Sequence, residues 1–199
     1  MLTARDRLIV RHIEKHGFIT NKQALEIFMD KNTTKCKEVA RRRLKAIMAS
    51  GMVFGKKEKP LLLTKDRVTD ENVYYYNKPP RYRSIQLMDF YARLIYIGVN
   101  VKYFKIRLEL SGGNHISDAF LIYEMNGADY MICLEVCYAD FNEQLKSYEE
   151  LYKTQELQKK FGGVFPKIVT IGCVERVPKT ILTVVNVKDD LSDIELVFQ

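Results

Sequence analysis

Long apolar runs are absent from this chain. No stretch approaches the roughly 18 residues that a membrane-crossing helix needs, and the best candidate, Ala128 to Cys137, is broken by polar groups. The N-terminus, MLTARDRLIVRH, alternates charges with aliphatics and has no apolar signal core, so the chain is expected to stay in the cytoplasm, off the membrane. Cysteine is scarce. Cys36, Cys133, Cys137 and Cys173 form no C-x-x-C pair, which speaks against a zinc site and a secreted disulfide framework and reads as reduced thiols. With only 10 Gly and 5 Pro, no low-complexity tract and no internal repeat, the chain is neither fibrous nor disordered.

What is present suits one ordinary core or two small ones: 199 residues, 47% of them hydrophobic. The net charge of +7 is unevenly spread. Residues 1–83 carry 20 Lys+Arg against 9 Asp+Glu, a net +11, whereas the remaining 116 carry 12 against 16, a net −4. A basic half joined to a mildly acidic one points to a polyanion as the partner of the first half.

Hydrophobic spacing predicts a helix over residues 3–16, capped by Thr3, with Leu8, Ile9 and Ile13 at helical spacing and Gly17 as its stop. After a short apolar link, Phe18-Ile19, Thr20 opens a second helix with Ala24, Leu25 and Phe28 inside. Thr33-Thr34 opens a third, whose inner stripe is Val39, Ala40, Leu44, Ile47 and Met48. One core cluster of Ile9, Ile13, Leu25, Phe28, Leu44 and Ile47 is expected. Extended runs follow: Met52-Val53-Phe54, a basic tip from Gly55 to Pro60, Leu61-Leu62-Leu63 and Val73 to Tyr76. Three helices followed by strands around a basic turn form a winged helix-turn-helix over residues 1–80. The outer face of the third helix offers Lys35, Lys37, Arg41, Arg42, Arg43 and Lys45, and the wing tip offers Lys56, Lys57 and Lys59. Cations placed so suit DNA phosphates and base edges, and double-stranded DNA is the expected partner.

Residues 77–83 read as a linker, and 81–100 as a linking region whose aromatic helix, Ile85 to Ile97, is the candidate seam of a homodimer. From Val101 the period becomes strand-like. KYFKIRLEL, DAFLIYEM and DYMICLEVCY are three strands, the last two joined by an Asn126-Gly127 turn. A long helix, about Asn142 to Lys160, and strands Lys167–Cys173 and Ile181–Val187 complete a mixed-sheet α/β domain over 101–199. The fold class is therefore α+β with an α/β second half. Within the hairpin, Asp118 and Glu135 fall near the same open end of adjacent strands. Two carboxylates held there suit Mg²⁺ or Mn²⁺, and such an ion activates water against a phosphodiester. No cofactor follows with certainty. The alternative for the pair is two partly solvated strand carboxylates without a task, and His115, close by in sequence, reads as a surface histidine.

This second half resembles the PD-(D/E)XK nuclease fold. Ser117-Asp118 stands at the motif's Pro-Asp, Glu135-Val136-Cys137 at its E-x-K, and Gln144-x-x-x-Tyr148 at the Q-x-x-x-Y element of its RecB-like branch. The resemblance implies catalytic or metal-binding roles for Asp118 and Glu135, with Gln144 and Tyr148 beside them. Cys137 departs from the motif's lysine. A thiol does not replace an ammonium next to a metal-bound water, which leaves Lys146, on the following helix, as the substitute. The motif's upstream helical Glu is missing as well, since residues 85–97 hold only Asp89, with Glu109 as a stand-in on an apparent strand. Taken whole, the order of winged helix, linking helix and degenerate nuclease-like domain resembles the replication-relaxation family of plasmid and phage proteins. That resemblance implies replication, maintenance or transcriptional regulation of mobile DNA, with a vestigial site. Two alternatives stand beside it: a metal-dependent deoxyribonuclease targeted by its winged helix, and a protein–protein interaction module.

Overall fold

The computed structural model describes residues 2–29, 33–57, 72–78, 80–111, 115–137, 141–173 and 178–199. The chain is mixed α+β, with six α-helices and two sheets among the described residues, and it divides into two compact units, Met1–Gly98 and Val99–Gln199. No helix among them is long and apolar enough to cross a membrane.

In the first unit, α1 (Ala4–His16) opens on a reciprocal capping box. The Thr3 side chain accepts from the Asp6 amide, and the Asp6 carboxylate accepts from the Thr3 amide. Gly17, at φ 89°, ends the helix in the left-handed region that glycine tolerates best. The expected link Phe18-Ile19 is instead strand β1 (Phe18–Thr20), which pairs antiparallel with β3 (Asn72–Tyr75). Two apolar residues followed by a Thr cap leave too little chain for a free loop, so the extended run joins the sheet. Thr20 and Gln23 make a second capping box at α2 (Asn21–Phe28), and Thr33 caps α3 (Thr34–Ala49). β2 (Phe54–Lys57) adds to the other edge of β3, giving the order β1-β3-β2.

The core gathers Ile9, Ile13, Ile19, Ala24, Leu44, Ile47, Val53 and Tyr74. Two expectations shift here. Leu25 turns to a separate cluster with Met29 and Ala40, leaving Phe28 at the margin of the main one. Met48 is 38% exposed, so the inner stripe of α3 narrows to Ala40, Leu44 and Ile47. The Leu61-Leu62-Leu63 run lies outside the described residues.

The linking helix, α4 (Tyr82–Tyr96), packs on α2 within this unit. Gln23 Nε2 donates to Asp89 Oδ1 at 2.6 Å and to the Ile85 carbonyl at 3.2 Å, while Lys22 pairs with Asp89 at 3.4 Å. Its apolar face, Leu87, Met88, Phe90 and Leu94, is fully buried inside the chain. That face is therefore not free to serve as the expected dimer seam.

The second unit is a five-stranded sheet in the order β4-β5-β6-β7-β8. Strands β4 (Asn100–Leu110), β5 (His115–Met125) and β6 (Ala128–Val136) form an antiparallel meander. The β5–β6 turn is Asn126-Gly127, with φ of 53° and 77°, as a two-residue hairpin requires. The expected single helix breaks at Gln155, whose φ of 59° ends α5 (Asn142–Thr154) before α6 (Glu156–Lys160). After these helices, β7 (Lys167–Ile171) runs parallel to β6, and β8 (Val184–Val187) parallel to β7. Leu145, Tyr148 and Leu151 of α5 and Leu157 of α6 pack on Phe120, Cys133 and Ile168 of the sheet. At the C-terminus, a 3-10 turn, Ile194–Phe198, sets the Phe198 ring edge-on to Tyr123.

Candidate functional sites

Helix α3 separates its residues by face. Ala40, Leu44 and Ile47 are buried, and Lys35, Lys37, Arg41, Arg42 and Lys45 are exposed. None of these five has an ion-pair partner among the described residues, so their charge is directed to solvent. Arg43 behaves differently. Its guanidinium turns inward onto the fully buried Asp6, with Nε donating to Oδ1 at 2.7 Å and a second nitrogen paired with Oδ2. Asp6 thus both caps α1 and anchors α3, and Arg43 leaves the outward-facing set. At the wing, Lys56 and Lys57 belong to β2, and Lys59 lies outside the described residues. One contribution escaped the sequence reading: Arg5, Arg7, Arg11 and Lys15 of α1 are also exposed. Arg7, Val10, Arg11 and Glu14 line an open groove of about 680 Å³ together with Met52 and Tyr76. These α1 residues are the complement of its buried stripe Asp6, Ile9, His12 and Ile13.

In the second unit the hairpin sets Asp118 opposite Glu135, one step beyond the paired Ala119 and Leu134. Each carboxylate reaches across to the other strand's backbone. The Asp118 amide donates to Glu135 Oε1 at 3.3 Å, and the Val136 amide donates to Asp118 Oδ2 at 3.0 Å. Tyr148, from α5, donates its hydroxyl to Glu135 Oε1 at 2.5 Å. Ser117 Oγ donates to the Ala119 carbonyl at 2.8 Å. The carboxylates therefore close the open end of the ladder where backbone pairing stops.

Both are buried, Glu135 at 1% exposure and Asp118 at 9%, rather than partly solvated. Burial, and then the neighbouring Asp118 charge, push the Glu135 carboxyl up to about 7, so it holds a proton over much of the near-neutral range. Burial and its neighbours likewise push the Tyr148 hydroxyl well up, keeping it a donor. His115 is also buried, against the expectation of a surface residue. Its Nδ1 meets Ser147 Oγ at 2.7 Å, and its ring lies 4.0 Å from that of Tyr148. Burial holds the imidazole below its ordinary value. The sequence signal for this was available, since His115 begins the strand that carries Asp118.

Of the remaining candidates, only Cys137 lies close enough to feel the charges of Asp118 and Glu135. Gln144 is half-buried on α5, and Lys146 projects to solvent from the same helix as an exposed residue. Cys137 is half-buried beside Cys173. Glu109 is exposed in β4, while Asp89 is held by Lys22 and Gln23 in the first unit. Among the described residues no group of three His, Cys, Asp or Glu side chains is placed to hold a metal ion. A divalent ion needs several free, ionised oxygens. Here Glu135 Oε1 accepts from the Asp118 amide and the Tyr148 phenol, and Asp118 Oδ2 accepts from the Val136 amide.

Comparison with protein-family models, with curated proteins and with solved structures found no match to this chain.

Proposed function

We propose that this chain is a duplex-DNA-binding protein, with residues 1–98 acting as a winged helix-turn-helix and residues 99–199 as a nuclease-like unit that does not cut DNA. The observation that carries the reading is the outer face of α3: five exposed cations without an ion pair among the described residues, on the helix that follows a capped α2. In a helix-turn-helix this second helix enters the major groove. Its Lys and Arg side chains meet phosphates, and Arg also reaches guanine edges. The antiparallel meander, helical crossover and parallel β7 support the nuclease-like assignment. The buried, amide-bound carboxylate pair and Cys137 support loss of turnover. Replication, maintenance or regulation of a plasmid or phage is the setting that the order of units suggests.

The test pairs two assays on the intact protein. Fluorescence anisotropy with a labelled duplex should show binding at low salt that weakens steeply as salt rises, because phosphate contacts release counterions. Supercoiled plasmid incubated with Mg²⁺ or Mn²⁺ should stay uncut. Metal-dependent nicking lost in an Asp118→Ala/Glu135→Ala variant would establish the nuclease alternative, and absence of DNA binding at low salt would favour the protein-interaction alternative.

A further inference from the structure

Cys137 follows β6, and its amide donates to the Ile171 carbonyl at 3.0 Å, extending the β6–β7 ladder one residue past Val136. Cys173 lies two residues beyond Ile171 on the neighbouring strand's continuation. Cys173 is the largest single influence on the Cys137 thiol, so the two side chains are neighbours. Both are half-buried cysteines outside any disulfide, and both pack on the cluster formed by α5, α6 and the sheet. Neighbouring strands run about 4.8 Å apart, and a disulfide spans Cα separations of about 4.4–6.8 Å. In register Cys137 falls opposite Gly172, whose φ of 74° turns the chain out of the ladder, and Cys173 packs on the same cluster as Cys137.

We propose that Cys137 and Cys173 form a thiol–disulfide site, closed by an oxidised low-molecular-weight disulfide such as oxidised glutathione. The thiolate of one cysteine attacks a glutathione sulfur and expels glutathione thiolate. The second cysteine then attacks the mixed disulfide and expels the other glutathione. Two protein S–H bonds become one S–S bond, and the two electrons and two protons leave with two reduced glutathiones. The neighbouring Cys173, burial and the nearby carboxylates hold the Cys137 thiol above its ordinary value, so exchange is slow at neutral pH and is best run in mild alkali. Cys133, fully buried, and Cys36, on α3 in the other unit, are not in this contact.

The bond would tie together the ends of β6 and β7 and close a loop containing α5 and α6. A loop that long strongly restricts the unfolded chain, so the oxidised second unit should melt at a higher temperature than the reduced one. The experiment is to incubate the full chain with oxidised glutathione, alkylate the remaining thiols and map the peptides by mass spectrometry. The expected result is a 137–173 cross-link, two of the four thiols lost, and a raised melting temperature reversed by dithiothreitol. Cys36→Ser should keep the link, and Cys137→Ser or Cys173→Ser should abolish it. Should either serine variant fail to fold, the wild-type map decides alone. Four persisting free thiols, glutathione adducts that never close, or a link through Cys36 would each overturn the site. None of these outcomes depends on whether the protein binds DNA.

Discussion

Glu135 is buried between a like charge and a phenol, and its protonation sets a testable slope. Its folded-state value of about 7 lies above the ordinary 4.5, so the folded state binds more protons between those pH values. The associated stabilisation is fully present below about pH 4.5 and is lost as pH rises through 7. Glu135→Gln should flatten this dependence and stabilise the second unit above pH 7, as read by urea titration at several pH values. An unchanged slope would place the proton elsewhere. Tyr148→Phe removes the hydroxyl that satisfies Glu135 Oε1 and should cost about 1–3 kcal/mol, because a buried acceptor loses its donor. Asp118 and Glu135 were legible from the sequence because hairpin register and the Asn126-Gly127 turn fix which residues face each other. Their occupation by backbone amides was not, since it depends on where the ladder ends in three dimensions.

At the scale of the element, α3 carries two arginines with opposite tasks. Arg41 faces solvent, while Arg43 neutralises the buried Asp6. Arg43→Ala leaves that carboxylate without its cation and should destabilise the first unit by about 1–3 kcal/mol. Arg41→Ala should leave stability within about 0.5 kcal/mol, the range of ordinary surface changes, and weaken DNA binding. Equal melting temperatures for the two variants would contradict the division. Periodicity alone placed Ala40, Leu44 and Ile47 inward, but it cannot assign a long cation at the border of a stripe, whose head group follows whichever carboxylate lies nearby. The same limit applies at Gln155. Helical periodicity continues through it, and the break comes from a backbone conformation that side-chain pattern does not encode. The α4 helix was visible as an aromatic amphipathic segment, whereas its docking on α2 depends on Asp89 meeting Gln23 and Lys22 across more than sixty residues of chain.

Across the whole molecule, the two units should respond to pH in opposite directions. In the first, burial and then the His16 charge hold His12 down to about 3, and burial and Lys15 hold His16 down to about 4. Both are bound as neutral imidazoles against Tyr91, with Phe28 edge-on to His12. Unfolding lets them protonate near 6.5, so the first unit is most stable above that pH and weakens as pH falls towards 4 and 3. The second unit shows the reverse trend through Glu135. Calorimetry between pH 5 and 8 should show two transitions that converge or separate with pH, and His12→Gln should shift only one of them. A single transition moving uniformly would contradict independent units. The charge asymmetry that suggested two units is plain in the sequence; the boundary is less so, because α4 looks like a linker until its partner is known.

The exposed face of α3 is proposed to bind duplex DNA through its phosphates. The most direct test is the salt dependence of binding for the wild-type chain and an Arg41→Ala/Arg42→Ala/Lys45→Ala variant, measured by anisotropy on one duplex. Each lost phosphate contact should lower the magnitude of the log–log slope by about 0.9, so a variant that still folds should bind more weakly at low salt and with a visibly shallower slope. Identical slopes and affinities for the two proteins would contradict the claim.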